Sequence, residues 1–496
     1  MRELIKKLRS QDRGVAMAWL ATTLVLLLGT AGFAVDLGWM YLSASRLQRT
    51  VDAAAMAGVV HLPGFPSQAD LDARATARAN TYDVCDPGSS GCDDTLTATP
   101  LADNELQVSM STTIPSFFLG VLGFESFDIT RSATAEYIKP VPLGSPDQCF
   151  GQDPRGQFCT PDVNDFWAAV SAPYTRKSDG DPYSTTCLNP STPSSCSTTN
   201  VDYARGGAYD GYYYAIEVGS GVRNLTVSIY DAAWDERRNY PNVETADVRL
   251  YPSGWSNPGV TTSFQLHAVD STPHDPTDNP PISGCSFNNL PPDRYPSNSY
   301  YKNRWRTLCT LRGQVTPGIY VLHVSTSGTG AGTNQYSIAA DSGRGPDPQV
   351  YGINDMSIFS NRLTSASKLY LVEIDPIHAG SKLELSFFDA GDASGYSEMR
   401  VKDPFNNVPQ CDWQSLTHDL NTVTGSGSGD CEWVTTLSRG TRLYDNEWIV
   451  AYIDIPDDYT CNGSDCFWYM ELDLSQPNDR TTWRARVIGN PVRLIP

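Results

Sequence analysis

The most apolar part of the chain is a continuous run near its start, from Val15 to Val35, in which no residue is charged. At about 1.5 Å of rise per residue, such a run spans roughly 30 Å as a helix, which is the thickness of the hydrocarbon layer of a bilayer. The pattern therefore predicts a transmembrane helix at residues 15–36, preceded by a basic cytoplasmic tail at residues 1–14.

The helical pattern continues past the predicted span. From Leu37 to Leu62, apolar and small residues recur three or four positions apart and define one face, and Pro63-Gly64 is expected to end the helix. A secretory signal peptide has a shorter apolar core, of about 7–15 residues, and ends in a cleavage site. A span that runs on into a stalk helix therefore favours a retained anchor. Cleavage as a pilin is the alternative that stays open.

The charges around the span predict its orientation. Five basic residues and two acidic residues precede it, whereas Asp36 opens the other side. Because basic residues stay in the cytoplasm, the N-terminus is expected inside and the bulk of the chain outside, in the periplasm or on the cell surface. The formal net charge of −20 indicates a soluble acidic surface and argues against nucleic acid as a partner.

All twelve cysteines lie beyond the span, which suits an oxidising compartment. The cysteines group into six pairs that are close in sequence, and we expect disulfides in surface loops. The sequence alone does not determine which cysteines pair. Zinc is disfavoured, because only the last two cysteines approach a metal-ligand spacing and no histidine is near them. The neighbours are Cys85 and Cys92, Cys149 and Cys159, Cys187 and Cys196, Cys285 and Cys309, Cys411 and Cys431, and Cys461 and Cys466.

A small mixed segment follows the stalk. Residues 67–80 are predicted to form an Ala-rich helix with Ser67 as its N-cap, and residues 105–113 and 127–138 are predicted to form two strands. Between the strands lies an apolar turn, Phe117 to Phe124, which would form a hydrophobic interaction surface if it were exposed. We favour a short helix buried under the strands over a contact with the membrane surface.

Two stretches in this region resemble a known family. The span ends in "GFAVDLGWMYLSASRLQRTVDAAAMAG", and "TTIPSFFLGVLGFESFDITRSATAEY" follows downstream. Together they look like the N-terminal region of TadG-like (TadE/TadG) proteins of the Flp (Tad) pilus assembly group, over about residues 1–139. The resemblance implies a pseudopilin-like module at residues 37–139 in a membrane-anchored component of a pilus or secretion apparatus.

The chain also departs from related pilus proteins. A processed type IV pilin needs a Glu five residues after the cleaved Gly, but the fifth residue after Gly14 is Trp19. Many relatives carry a von Willebrand A domain whose metal site reads D-x-S-x-S, and that string is missing from this sequence. Neither pilin-type processing nor metal-dependent adhesion is therefore carried over.

Strand patterns dominate the rest of the chain. Residues 140–163 are rich in Pro and Gly and are expected to form a linker with a disulfide, and short alternating or β-rich runs follow it. Residues 368–404 repeat the pattern that begins at residue 212: an apolar strand with Glu217 or Glu373 near its end, a turn, and a second strand ending in Asp-Ala. A duplicated β-sandwich accounts for this pattern.

These strands bear a weaker resemblance to pre-peptidase C-terminal or jelly-roll accessory domains. We therefore expect one sandwich at residues 164–345 and a second at residues 346–496. The predicted fold class is α+β and membrane-anchored: an N-terminal transmembrane and stalk helix with a small α+β module, followed by two mainly antiparallel β-sandwich domains.

Candidate chemistry is sparse. Acidic turns could bind calcium with help from carbonyl groups, although Asp at a strand end more often caps a turn; these residues are Asp179, Asp181, Asp231, Asp235, Asp389 and Asp392. Four tryptophans could stack on a glycan or fill a sandwich core, and the core is favoured; they are Trp234, Trp255, Trp413 and Trp433. No catalytic motif is found, so an enzyme is not expected.

Two functions remain open. The first is a membrane-anchored, exported structural or assembly component of a Tad (Flp) type IV pilus or related secretion apparatus, whose partners are the bilayer and other proteins of that system. The second is an anchored cell-surface adhesin or carbohydrate-binding protein. Calcium is the only cofactor considered, and no cofactor is required by the first function.

Overall fold

The structure is a computed structural model of the chain. It describes residues 2–62, 65–102, 104–138, 141–144, 147–159, 166–184, 200–205, 211–232, 234–235, 247–248, 260–270, 272, 275–290, 304–328, 331–360, 367–388, 395–418, 420, 422–437, 440–462, 465–474, 479–489 and 492–495. Contacts divide the chain into two compact units: unit 1 is Met1–Ile138 with Pro491–Pro496, and unit 2 is Lys139–Asn490.

The helices are α1 (Arg2–Val59), α2 (Pro66–Ala79) and α3 (Val201–Arg205). The strands, in chain order, are β1 (Thr95–Ala102), β2 (Glu105–Pro115), β3 (Ser126–Tyr137), β4 (Cys149–Phe150), β5 (Trp167–Ser171), β6 (Tyr212–Val218), β7 (Arg223–Asp231), β8 (Trp234–Asp235), β9 (Asp247–Val248), β10 (Val260–His267), β11 (Pro281–Leu290), β12 (Trp305–Gln314), β13 (Gly318–Gly328), β14 (Thr333–Arg344), β15 (Gln349–Ile353), β16 (Met356–Ser360), β17 (Ser367–Glu373), β18 (Lys382–Phe388), β19 (Ser397–Lys402), β20 (Gln410–Thr417), β21 (Val423–Asp430), β22 (Glu432–Thr436), β23 (Glu447–Asp454), β24 (Phe467–Leu474), β25 (Asp479–Ile488) and β26 (Val492–Ile495).

In unit 1, α1 and α2 pack on an antiparallel sheet with the order β1-β2-β3-β26. The core lies between the apolar face of α1, the alanines of α2 and one face of the sheet. Gly58 marks how closely these layers approach, because a Cβ on it would lie 2.6 Å from the carbonyl oxygen of Ala69 and 2.6 Å from a methyl group of Leu106. Small residues along the stalk are therefore needed for packing.

Two local predictions in unit 1 need correction. The predicted helix at 67–80 forms, but Ser67 does not cap it: Phe65 occupies the N-cap position and Pro66 the first turn. A proline fits there because its missing N–H would have no partner in the first turn. In addition, β1 and β26 extend the predicted two-stranded arrangement to four strands. The predicted helix stop at Pro63-Gly64 lies outside the described residues.

Unit 2 contains two sandwiches of antiparallel sheets with the same strand order. In the first, the two sheets run β5-β14-β7-β12 and β6-β13-β10-β11; in the second, they run β16-β25-β18-β23 and β17-β24-β19-β22. Corresponding strands also follow one another in the same order along the chain. Eight strands connected in this way form a jelly roll. The predicted β-sandwich architecture is therefore confirmed, and the internal repeat is present in its topology.

The two jelly rolls join through equivalent strands. β5 pairs antiparallel with β16, where Ala168 faces Ile358 and Trp167 faces Phe359. This pairing makes one sheet continuous across both halves, and the buried apolar residues of both halves form one cluster. The sandwich predicted at 164–345 and the one predicted at 346–496, up to residue 490, are thus halves of one compact unit, whereas residues 491–496 belong to unit 1.

The described parts of the predicted linker at residues 140–163 pack into unit 2. Leu143 bridges to Gly352 in β15 and to Val372 in β17, and its side chain is buried. The short strand β4 pairs with β14. This segment therefore packs between the sheet that contains β6 and the sheet that contains β17, one from each jelly roll, and does not form an exposed linker.

Candidate functional site

Helix α1 has the properties of a membrane anchor. The stretch Ala16–Val59 is the one helix, among the residues that the structure describes, that is long and apolar enough to cross a membrane. From Ala16 to Gly38 every residue is exposed except Gly32 and Asp36. A large apolar surface without protein cover is unfavourable in water. Length, composition and exposure thus fit a helix surrounded by lipid.

Asp36 holds the apolar turn against this helix. Its carboxylate accepts hydrogen bonds from the backbone N–H groups of Phe117 (2.9 Å), Phe118 (3.0 Å) and Leu119 (2.7 Å). These N–H groups precede and begin a short 3-10 helix at Leu119–Leu122, where they would otherwise lack partners. A carboxylate that accepts three such bonds acts as a cap contributed from another element.

Gly32 lies one helical turn before Asp36 and on the same face. A Cβ on Gly32 would lie 2.9 Å from the side chain of Phe118, so a larger residue would push the turn away. Gly32 and Asp36 are therefore buried because the turn covers them. Further along α1, the ring of Trp39 lies edge-on to that of Phe117, with the ring centroids 5.7 Å apart.

The turn itself is not buried. The exposed fractions are 58% for Phe117, 53% for Phe118, 89% for Val121 and 60% for Phe124. The prediction of a helix buried under the strands is therefore wrong. The turn packs against α1 and not against the sheet, because its N–H groups donate hydrogen bonds to Asp36. Sequence reasoning did not assign this role to Asp36, although a single carboxylate at the end of an apolar span was the available signal.

Five of the six neighbouring cysteine pairs are joined by disulfides among the described residues: Cys85–Cys92, Cys149–Cys159, Cys285–Cys309, Cys411–Cys431 and Cys461–Cys466. Cys187 and Cys196 lie outside the described residues. The pairs are local in sequence, but two of them have long-range consequences. Cys285–Cys309 joins β11 to β12, which are the outer strands of the two sheets of the first jelly roll.

Cys411–Cys431 has a similar place in the second jelly roll. Cys411 lies in β20, which pairs with β23, and Cys431 directly precedes β22 in the opposite sheet. Both disulfides therefore connect one sheet to the other near the edge of a sandwich. They covalently join the two layers of each sandwich, so their role is structural.

The candidate calcium ligands are scattered. Asp181 is buried, and its carboxylate accepts hydrogen bonds from the Tyr212 hydroxyl (3.0 Å) and the backbone N–H groups of Ser171 and Tyr183. Burial raises the pKa of Asp179, against the opposing attraction of nearby arginines. Asp231 is buried at the end of β7. The side chain of Asp235, and both Asp389 and Asp392, lie outside the description, so calcium stays a prediction.

The tryptophan candidates differ in exposure. Trp433 is only 3% exposed, so its ring has no open face for a sugar; Trp413 is partly exposed and lies edge-on to Trp433. Trp255 and the side chain of Trp234 lie outside the description. The core interpretation thus holds for Trp433, and glycan binding at Trp413 stays a prediction.

Unit 2 also contains an acidic cleft of about 650 Å³. Its lining residues are Asp147, Gln148, Phe158, Asp347, Pro348, Gln349, Tyr370, Glu373, Asp465 and Phe467. Burial raises the pKa of Glu373, and nearby Asp375 and Glu217 raise it further, whereas a hydrogen bond from Gln349 opposes the shift. Sequence reasoning missed this cleft, because its residues come from distant segments.

A small group beside the cleft contains Glu373, Asp375 and Cys466, whose potential ligand atoms lie within 4.8 Å of one another. Cys466 is bonded to Cys461 and so offers no thiolate. Two carboxylates remain, which is fewer oxygen ligands than calcium requires. The two carboxylates can attract a cation by their charge, but by themselves they do not complete its coordination shell.

Helix α1 is the part of the chain that matches a known protein family. The family described as putative Flp pilus-assembly TadE/G-like matches residues 14–61. This match confirms the resemblance recognised at the N-terminal helix. No curated protein matches the chain.

Among solved structures, the tandem N-terminal CBM22 domains of Xyn10C from Paenibacillus barcinonensis are similar at 10% identity, covering 55% of this chain and 80% of that one, with a TM-score of 0.14. A structure of infectious bursal disease virus, Gx strain, is similar at 9% identity, covering 84% of this chain and 82% of that one, with a TM-score of 0.09. Scores this low carry no argument about function.

Proposed function

We propose that this protein is a single-pass membrane-anchored component of a Tad (Flp) pilus or related secretion apparatus, and that it acts through protein contacts rather than catalysis. The observation that carries the proposal is the TadE/G-like match over residues 14–61, which falls on the one described helix suited to a membrane. In this proposal the basic end of α1 stays in the cytoplasm and both units face outward.

Two features support outward placement, and a third supports retention of the anchor. Disulfides are rare in reducing compartments and persist in oxidising ones, and five are present in the described residues. The acidic composition keeps a large exported domain soluble. The stalk part of α1 packs into unit 1, so the anchor and the first folded unit form one continuous element.

Complementation of a deletion strain tests the proposal. The natural host without this gene should lose pili or the associated secretion, and the wild-type gene should restore them. A matched variant replaces residues 16–31 by an unrelated apolar helix and retains Gly32, Asp36 and everything after them. We expect this variant to reach the membrane at normal levels but to restore fewer pili, because the lipid-facing surface of α1 has changed. Normal piliation and secretion in the deletion strain would refute the proposal.

A second candidate function is glycan binding by an anchored adhesin, and the cleft in unit 2 favours it. The ring of Tyr370 is partly exposed at the cleft, which the carboxylate of Glu373 also lines, and it packs edge-on against the buried ring of Phe467 with the ring centroids 5.7 Å apart. Aromatic faces and carboxylates are the groups that bind sugar rings and hydroxyls. Binding of the full-length protein to a glycan array, lost in Tyr370→Ala, would support this function. Failure of every glycan to bind would argue against it.

A further inference from the structure

We propose that the apolar turn, residues 117–124, is a second membrane contact that inserts into the outer face of the same bilayer that α1 crosses. The partner is therefore lipid rather than another protein. This inference rests on the proposed anchoring of α1 and adds to it a fixed position of unit 1 at the membrane surface.

The first step is the depth at which the turn lies. Its Phe118 side chain covers Gly32, which belongs to the last turn of the predicted span at residues 15–36. Gly32 precedes Asp36 by four residues, or about 6 Å along the helix. A bilayer that surrounds the exposed residues before Gly32 therefore also reaches the turn that lies against it.

The second step is the chemistry of the turn's outer surface. Phe117, Phe118, Val121 and Phe124 are all more than half exposed, and the turn adjoins α1 where Phe118 lies against Gly32 and Phe117 against Trp39. Polar residues begin directly after the turn, since Glu125 and Ser126 are exposed. This sharp change from apolar to polar is typical of a segment that lies in a membrane interface.

The third step is how the turn's polar groups are satisfied. Backbone N–H groups in lipid are costly unless they are paired. The N–H groups of Phe117, Phe118 and Leu119 donate to the Asp36 carboxylate, and that of Val121 donates to the carbonyl of Phe118. The pairing lets an apolar turn enter the interface with these donors bound. It also keeps the Asp36 carboxylate bound at the edge of the hydrocarbon layer.

Aromatic residues beside the turn mark the same level. Trp39 and Tyr41 follow Asp36 on α1, and Tyr41 is 75% exposed. Trp and Tyr concentrate at membrane–water interfaces, where their rings lie among the headgroups. The turn, Asp36 and these aromatic side chains thus belong to one interfacial layer.

Photocrosslinking of the full-length protein tests the inference. A diazirine amino acid is placed at Val121 in the turn, at Leu27 in the span, or at Thr99, an exposed position in β1. The protein is reconstituted in vesicles of phosphatidylethanolamine and phosphatidylglycerol and illuminated. Lipid adducts are then measured by mass spectrometry. All three positions are exposed, so the fold should tolerate each replacement.

We expect lipid adducts at Leu27 and Val121, with a yield at Val121 roughly tenfold above that at Thr99. Adducts at Leu27 with no excess at Val121 over Thr99 would overturn the membrane contact and leave the anchor standing. No adducts at Leu27 would overturn the anchor and the inference together. Crosslinks from Val121 mainly to protein would also overturn the inference, because the patch would then be a protein interface.

Discussion

Arg493 donates from its Nε to the Oε2 of Glu136 at 2.8 Å, which links the last described strand to a residue 357 positions earlier. Around this ion pair, β26 adds to the edge of β3 through four residue pairs. The chain thus leaves unit 1, forms both jelly rolls and returns. Unit 2 is therefore covalently connected to unit 1 at both of its ends.

Removing the C-terminal strand should loosen unit 1. Deletion of residues 490–496 leaves the outer edge of β3 unpaired, so amide exchange at Thr134–Tyr137 should accelerate, as measured by hydrogen exchange mass spectrometry. Arg493→Ala is the milder control: its side chain is half-exposed, and such ion pairs contribute about 0–1 kcal/mol. Unchanged exchange in the deletion variant would show that β26 does not stabilise the sheet.

Much of the fold was predictable from local pattern. The apolar run near the N-terminus predicted α1, and alternating apolar and polar residues predicted strands such as β6 and β7. The repeated strand endings predicted the duplicated sandwich. The strand β26 was missed, because four residues are too short for any periodic signal. The contact of Asp36 with the apolar turn was missed for another reason. The hydrogen bond from Phe117 to Asp36 joins residues 81 positions apart, so it depends on tertiary packing, and the sequence of the turn is equally compatible with burial.

Loss of the Cys285–Cys309 disulfide should weaken unit 2. The bond closes a segment with a sequence separation of 24, for which the loop-entropy model gives about 3 kcal/mol. The double variant Cys285→Ala/Cys309→Ala should therefore unfold at a lower urea concentration than the wild type. The matched control, Cys461→Ala/Cys466→Ala, opens a separation of only 5 and should lose about 2 kcal/mol. An equal or greater loss in the control would contradict this ranking.

The buried ion pair of unit 2 should be costly to break. The Nζ of Lys177 lies 2.6 Å from Oδ2 of Asp202, and both side chains are almost fully buried; Trp448 also donates to that oxygen. Removing one partner leaves a buried charge, so Lys177→Met or Asp202→Ala should each cost about 3–5 kcal/mol in urea unfolding. The double variant should cost less than the sum. Additive losses would indicate that the two charges do not interact.

Glu373 should make stability fall as the pH rises. Since burial raises the pKa of Glu373 above its ordinary 4.5, the folded protein keeps this proton at pH values where the unfolded chain has lost it. The stability from protonated Glu373 is therefore present below pH 4.5 and is lost as the pH rises through the raised pKa. Glu373→Gln imitates the protonated form, so its melting temperature relative to wild type should increase from about pH 4 to 7. A constant difference would contradict the raised pKa.

The central claim is that α1 is retained as an anchor with both units outside. Protease treatment of intact spheroplasts, combined with the mass of the undigested membrane-bound chain, tests this claim most directly. The claim predicts an unclipped mass before treatment and, after it, loss of everything except a small fragment that contains the basic N-terminus. A mature species that begins beyond α1 and is released into the medium, or a chain that resists protease until the membrane is broken, would contradict it.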